Sequence, residues 1–215
     1  MAKCSCESCP VAGHEPSRRE NRLRRVPLAA WVFLVVAIGT LIIDAMEAKA
    51  EVYHSRESAL ELAFPQADSV TTTTIILGED QVLEVEERAG ASLESRIVRV
   101  YEAWQDGEIV LRAIIDTHQV RSLPETLMVV ADRQHRVHAV HLLAFHEPVQ
   151  YRASGKWFTQ FEDRGLDPDL APRRGIVGIA GATMTSNAVT AAVRRSLATL
   201  EVGFAEADSP MAIGK

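Results

Sequence analysis

The chain has 215 residues, of which 47% are hydrophobic, and a formal net charge of −6. This length and composition exclude a disordered chain and allow a domain with a hydrophobic core. The negative charge argues against a nucleic-acid-binding surface. All three cysteines lie within the first nine residues, so the rest of the chain must fold without disulfides.

The amino-terminal quarter has the pattern of an export segment. Residues 1–25 contain the cysteines and five arginines, and residues 28–43 form an uncharged apolar run. We predict a cytoplasmic tail over 1–25 and a transmembrane anchor or signal segment over 26–46. The run is intermediate in length between a signal-peptide core and the roughly 20 residues of a membrane-spanning helix.

Two alternatives for the mature protein follow from this segment. An uncleaved helix would anchor the protein in the cell membrane, with the arginines holding the amino end in the cytoplasm and the functional domain in the periplasm. Cleavage near Ala50, within Ala48-Lys49-Ala50, would instead release the domain into the periplasm. We favour the anchor because the apolar run is long for a signal peptide.

The cysteines of the tail have two interpretations. Cys4, Cys6 and Cys9 are dense enough to resemble a zinc or iron-sulfur site, but His14 is the nearest candidate for a fourth ligand. A cytosolic tail with free or lipid-modifiable thiols explains the same residues. Cleavage after Ala50 would remove them.

Residues 51–94 predict a lead-in of helix, strand and helix. Residues 55–64 begin with a serine and place apolar residues at helical spacing, and Pro65 ends this helix. Residues 71–76 are β-branched and favour a strand, whereas residues 80–88 favour a second helix. From residue 51 onward, 24 acidic and 16 basic side chains leave a net charge of −8, typical of a soluble acidic domain.

The next part of the chain predicts a sheet. Alternating apolar segments flank Gln105-Asp106-Gly107 and residues 132–135, which predicts two hairpins. Residues 156–161 favour a short helix and residues 163–174 a loop.

We therefore predict an α+β fold, an antiparallel β-sheet with packed helices, preceded by one N-terminal membrane or signal helix. Residues 95–202 are expected to form its functional domain, and residues 203–215 a flexible tail.

Four histidines between residues 135 and 146 suggest a metal site at first sight. If residues 137–145 form a strand, however, the spacing of three places His138 and His141 on opposite faces. We therefore expect no metal site. Ser-His-Asp catalysis is not expected either, because the sequence has no G-x-S-x-G motif.

The stretch GIAGATMTS, residues 178–186, precedes a strongly periodic segment. Val189, Val193, Leu197 and Leu200 recur at helical spacing and form one apolar stripe. This pattern predicts an amphipathic helix of about four turns.

The start of that helix has the features of an anion site. Thr183, Thr185 and Ser186 supply hydroxyls beside unpaired N–H groups and the positive end of the helix dipole. Gly181 and Ala182 leave room for a phosphate. An ordinary N-cap without a ligand is the alternative interpretation.

With its surroundings, this stretch resembles the FMN-binding domain family of the Rnf and sodium-pumping NADH:quinone reductase subunits and of NosR-type regulators. The family signature is similar to S-G-A-T-x-T-S. The resemblance extends over residues 95–200 and includes the hairpin of residues 127–145, His146-Glu147-Pro148, Gly155 and the sequence WFTQF. It departs at Ala180, where the family commonly has Ser or Thr, and in lacking an Asp at residues 175–178.

The resemblance implies that FMN is joined through its phosphate to the hydroxyl of Thr183. It implies an electron-transfer flavoprotein component without a substrate site of its own. A flavin transferase is the expected maturation partner, and membrane or periplasmic redox proteins are the expected electron partners. We expect Glu147 to line the flavin ring, and His118 and Arg121 to face the same cleft. A non-redox binding module that has lost the flavin is the alternative.

Overall fold

Six strands and four helices make up residues 51–205, the part of the chain that the computed structural model describes. The strands are β1 (Glu51–Val52), β2 (Ser69–Ile76), β3 (Ile97–Gln105), β4 (Glu108–Gln119), β5 (Pro124–Asp132) and β6 (Val137–Phe145). The helices are α1 (Arg56–Ala63), α2 (Glu79–Ala89), α3 (Gly155–Phe158) and α4 (Thr183–Gly203), with 3-10 turns at Val149–Tyr151 and Thr159–Phe161.

The strands form one antiparallel sheet in the order β1-β6-β5-β4-β3-β2. The hairpin of β3 and β4 closes through Asp106 (φ 52°) and Gly107 (φ 80°), so both turn residues adopt the left-handed conformation that Asp-Gly favours. The predicted α+β class and the two predicted hairpins are confirmed.

Helix α4 packs across one face of the sheet. Its buried stripe contains the four predicted residues Val189, Val193, Leu197 and Leu200. This stripe shares a core with Leu127 and other residues of the central strands, and with Phe161, Leu170 and Ile176 from the segment that precedes α4. The helix has 21 residues and is therefore longer than predicted.

The opposite face of the sheet has a second core beneath α1, which contains Ala59, Phe64, Tyr101 and Met128. Because β1 and β2 are the outer strands of the sheet, the lead-in of residues 51–94 contributes both of its edges. Strand β1 was not predicted, since a two-residue strand has no periodicity in the sequence.

A β-bulge in β6 overturns one step of the histidine argument. Val130 pairs with Ala139 whereas Ala131 pairs with Val137, so His138 is an extra residue in the strand. Burial lowers the pKa of His141, and the nearby His54 and His138 lower it further. The bulge removes the strict alternation that would place His138 and His141 on opposite faces. Among residues 51–205, no group of three or more His, Cys, Asp or Glu side chains is arranged to hold a metal ion.

The expectations for the amino-terminal segments, over 1–25 and 26–46, lie outside the described residues, as does most of the tail predicted over 203–215. Within residues 51–205, no helix combines the length and the apolar character needed to cross a membrane.

Candidate cofactor-binding site

A pocket of about 310 Å³ opens at the amino end of α4. One wall comes from the loop and first turn of the helix, and the other from the β4–β5 turn and the segment after β6. Six of the eight predicted site residues line it. The lining residues are Val120, Arg121, Glu147, Tyr151, Gly181, Ala182, Thr183, Met184 and Thr185.

The first turn of α4 leaves its backbone N–H groups free. The N-cap residue is Ala182, which has no side chain able to accept a hydrogen bond. Within the described part of the chain, the N–H groups of Thr183, Met184 and Thr185 have no acceptor. Gly181 has φ 80° and no atom within 4 Å of where a Cβ would stand, so the approach to these donors is open. This arrangement suits a phosphate group.

The three hydroxyls of this turn have different environments. Thr183 is exposed, and its hydroxyl forms no hydrogen bond with any described residue. The Thr185 hydroxyl donates to the carbonyl of Tyr151 at 2.7 Å, and that side chain is 1% exposed. Ser186 is equally buried and donates to the carbonyl of Thr183 at 3.0 Å. Thr183 is therefore the hydroxyl that is free to react, and the expectation that Ser186 faces the ligand is corrected.

Across the pocket, Glu147 holds the turn between β4 and β5. Its Oε1 accepts hydrogen bonds from the N–H groups of Ser122 at 2.7 Å and Leu123 at 2.8 Å. Burial raises the pKa of Glu147, but these bonds and one from the N–H of Arg121 outweigh it and lower the pKa overall. Glu147 is therefore ionised at neutral pH, and its carboxylate fixes the turn that carries Arg121.

Arg121 places a cation at this wall of the pocket. Its side chain is exposed and forms no ion pair with any residue in 51–205. A guanidinium can pair with the oxygens of a phosphate in a bidentate manner. The pocket thus combines free backbone donors, a free hydroxyl and a free cation.

His118 does not line the pocket, and its expected position is corrected. It is buried beneath α4, where its Nδ1 lies 2.8 Å from Asp116 Oδ1 and its Nε2 lies 3.4 Å from Glu125 Oε2. Arg195 of α4 binds the same Asp116 carboxylate through two hydrogen bonds, of 2.8 and 2.9 Å. We call Asp116, His118, Glu125 and Arg195 the buried ionic cluster.

The pKa values within this cluster reflect burial and pairing. Burial alone would lower the pKa of His118, but hydrogen bonds and charges from Asp116 and Glu125 raise it to about 9. Burial would raise the pKa of Asp116, but pairing with His118 and Arg195 lowers it overall. Burial raises the pKa of Glu125 against the opposing effect of His118, whose Nε2 lies 3.4 Å from Glu125 Oε2. The cluster binds α4 to the sheet.

Sequence analysis missed Tyr151 as a pocket residue, because it acts through its backbone carbonyl, to which any residue type could contribute. It also missed Arg195 and Asp116, since a single Arg on a helix and a single Asp in a strand are usually solvent-exposed. Arg195 is two residues from both Val193 and Leu197, which places it away from the apolar stripe of α4, so the stripe gave no signal that Arg195 is buried.

A family model matches part of the domain around this pocket. Residues 122–198 match the family model of the FMN-binding domain. The match contains Glu147 and the start of α4 with Thr183, and it confirms the resemblance and indicates FMN as the cofactor. A search of curated proteins gave no match. The free N–H groups, the Thr183 hydroxyl and Arg121 suit the phosphate end of FMN, and Val120 and Met184 add apolar atoms to the lining.

Proposed function

We propose that this protein is an exported flavoprotein that carries FMN as a phosphoester on Thr183 and relays electrons between redox partners outside the cytoplasm. The observation that carries the proposal is the first turn of α4, where the Thr183 hydroxyl and three N–H groups have no hydrogen-bond partner among residues 51–205. The match to the FMN-binding domain supplies the identity of the ligand.

The residues of the pocket would divide the work of holding the cofactor. The N–H groups of Thr183, Met184 and Thr185 would receive phosphate oxygens, and Arg121 would neutralise part of their charge. Glu147 would keep Arg121 in position by holding the turn. The bound FMN would supply one-electron and two-electron transfer, while Val120, Tyr151 and Met184 would limit the access of water to the ring.

Attachment would be a phosphoryl transfer carried out by a separate flavin transferase. The Thr183 oxygen would form a bond to the flavin-side phosphorus of FAD, the P–O bond to the AMP half would break, and AMP would leave. The hydroxyl proton would pass to a base of the transferase, with magnesium offsetting the phosphate charge. Tethering through the phosphate leaves the ring chemically unaltered, and it prevents loss of the cofactor by dilution outside the cytoplasm.

The test is the visible spectrum of the full chain, produced with and without a flavin transferase and then precipitated with acid. We expect a yellow pellet with a flavin absorption band only when the transferase is present. Flavin that appears in the supernatant would mean non-covalent FMN. Protein without flavin under both conditions would favour a non-redox binding module, which is motivated by the departure at Ala180 and by the lack of an Asp at residues 175–178.

Export is tested separately. A reporter enzyme that is active only outside the cytoplasm, fused after Lys215, should be active in cells, and amino-terminal sequencing should distinguish an anchor from cleavage near Ala50. A reporter signal restricted to the cytoplasm would contradict export without affecting the proposal for FMN.

A further inference from the structure

Strand β2 forms an open edge of the sheet. Its sequence, SVTTTTII, has no charged residue and no proline, and its pairing with β3 is continuous from Ser69 to Ile76. In the part of the chain that the structure describes, β3 is the one strand that pairs with β2. Edge strands in native proteins are usually protected by charges, prolines, bulges or a covering element. Strand β2 itself has no charged residue, no proline and no bulge in its pairing with β3.

The backbone of β2 offers a regular set of donors and acceptors. The N–H of Leu77, just past the strand, donates to the carbonyl of Arg96 on the β3 side at 2.9 Å. Because backbone groups alternate in direction along an antiparallel strand, the odd-numbered residues of β2 bond to β3. The even-numbered residues, Val70, Thr72, Thr74 and Ile76, therefore direct their N–H and C=O groups outward.

The same even-numbered residues share one face of the sheet. Thr73 and Ile75 face α4, since Thr73 donates to Glu102 at 2.6 Å and the Ile75 side chain lies beside Gly203. The even-numbered side chains therefore lie on the other face. Two of them are exposed apolar residues, Val70 at 40% and Ile76 at 69%.

These features are self-complementary under a two-fold axis. A two-fold axis perpendicular to the sheet leaves each face of the sheet on its own side. Residues directly opposite each other across the axis must therefore point to the same face, which requires one residue to pair with its own copy in the second chain. Centring on Thr73 places Val70 opposite Ile76 of the second copy and Thr72 opposite Thr74. Every outward N–H and C=O of the even-numbered residues then finds a partner, and the cross-strand pairs are aliphatic with aliphatic and Thr with Thr, both of which are favourable.

We propose that β2 pairs with β2 of a second copy of this chain about a two-fold axis at Thr73, which joins the two sheets into one. The absence of charge along the strand supports a second copy as the occupant, since like charges would otherwise face each other across the axis. The proposal is independent of the flavin, because β2 contributes no residue to the pocket at α4.

Disulfide trapping tests the pairing and its register. In the full chain with Cys4, Cys6 and Cys9 replaced by Ser, a Thr73→Cys variant should cross-link to itself under mild oxidation in isolated membranes. In the proposed register the two copies of residue 73 form a non-hydrogen-bonded pair about 4.5 Å apart between Cα atoms. Thr72→Cys is the matched control, since its two copies lie on a diagonal about 7–8 Å apart.

We expect at least about tenfold more covalent dimer from Thr73→Cys than from Thr72→Cys, because Cα atoms more than about 7 Å apart are not readily bridged. Equal cross-linking of both variants, or none from Thr73→Cys, would overturn the proposal. Retained circular dichroism would exclude misfolding of either variant as the cause.

A charge pair provides a second test that does not depend on cysteine chemistry. The variant T72K/T74K places lysines opposite each other and should make the purified full chain monomeric by light scattering. T72K/T74E places opposite charges across the axis and should keep the dimer. A dimer that persists in T72K/T74K would mean that the interface is not β2, which would overturn the proposal. A chain that is monomeric without any substitution would also refute the pairing. If Thr73→Cys captures another protein instead, the edge serves a different partner and the proposal is wrong.

Discussion

The first turn of α4 and the part of the helix around Arg195 differ in how their polar groups are bonded. At the amino end of α4, Thr183 and the N–H groups around it have no partner within the described chain. Three turns further on, Arg195 is buried and bound to Asp116, which in turn binds His118. The first set is available to a ligand, whereas Arg195 and Asp116 bind each other inside the protein. A polar residue near a pocket is therefore a ligand candidate only when its own hydrogen-bonding capacity is free.

The largest loss of stability should come from disrupting the buried ionic cluster. Asp116→Asn leaves Arg195 and His118 buried without their shared carboxylate, and it should lower the free energy of unfolding by about 3–5 kcal/mol. Denaturant titration of the full chain measures this loss. Glu201→Gln is the control, because Glu201 pairs with Arg88 at the surface and its loss should cost less than about 1 kcal/mol. Equal losses would contradict the comparison.

A pH dependence should follow from the same cluster. The folded-state pKa of His118 is about 9, against an ordinary value of 6.5, so the stability from its imidazolium is complete below pH 6.5. It is lost as pH rises through 9, and the upper limit of the loss is about 3 kcal/mol. Asp116 and Glu125 are the charged groups that face His118. Unfolding free energies at several pH values measure the slope, which should flatten in His118→Gln. An unchanged slope would place the titration elsewhere.

Glu147 allows a test of the pocket wall opposite α4, where its carboxylate holds the β4–β5 turn. Glu147→Gln should cost about 1–3 kcal/mol, because its neutral side chain is a weaker acceptor for the N–H groups of Ser122 and Leu123. If the carboxylate also lies near the ring, the midpoint potential of the bound flavin should rise by an amount on the order of tens of millivolts. Denaturation and spectroelectrochemical titration separate the two effects. Glu162→Gln, an exposed carboxylate outside this pocket, should change neither.

The smallest effect is expected at Thr185. Thr185→Val removes the hydrogen bond to the Tyr151 carbonyl and should cost about 1 kcal/mol, while flavin content stays unchanged. The measurements are denaturant titration and the flavin absorbance per protein. Loss of flavin in this variant would mean that the buried hydroxyl, and not the free one, holds the cofactor.

The sequence predicted much of the fold, because its strongest signals are local. The Asp106-Gly107 turn and the apolar stripe of α4 have one physical solution each, a hairpin and an amphipathic helix. The bulge at His138 and the two-residue strand β1 escaped prediction. Both depend on pairing with residues far away in the chain, so no local period records them.

The candidate site was predictable in part for the same reason. Gly181, Ala182 and Thr183 are neighbours in the chain, and a helix start is a local feature. His118 contacts Asp116 and Glu125, and Asp116 in turn contacts Arg195, which lies 79 residues further along the chain. Spacing in the sequence could not reveal that Arg195 completes this cluster. The role of Glu147 in holding a turn likewise depends on a segment some 25 residues away.

Intact-mass analysis of the full chain, produced together with a flavin transferase, tests the central claim most directly. The account predicts one FMN-sized addition in the unmodified sequence and in Thr185→Val, and its complete loss in Thr183→Ala. Fragmentation should place the added mass on Thr183. An addition that persists in Thr183→Ala and disappears in Thr185→Val would contradict the assignment of the free hydroxyl as the attachment site.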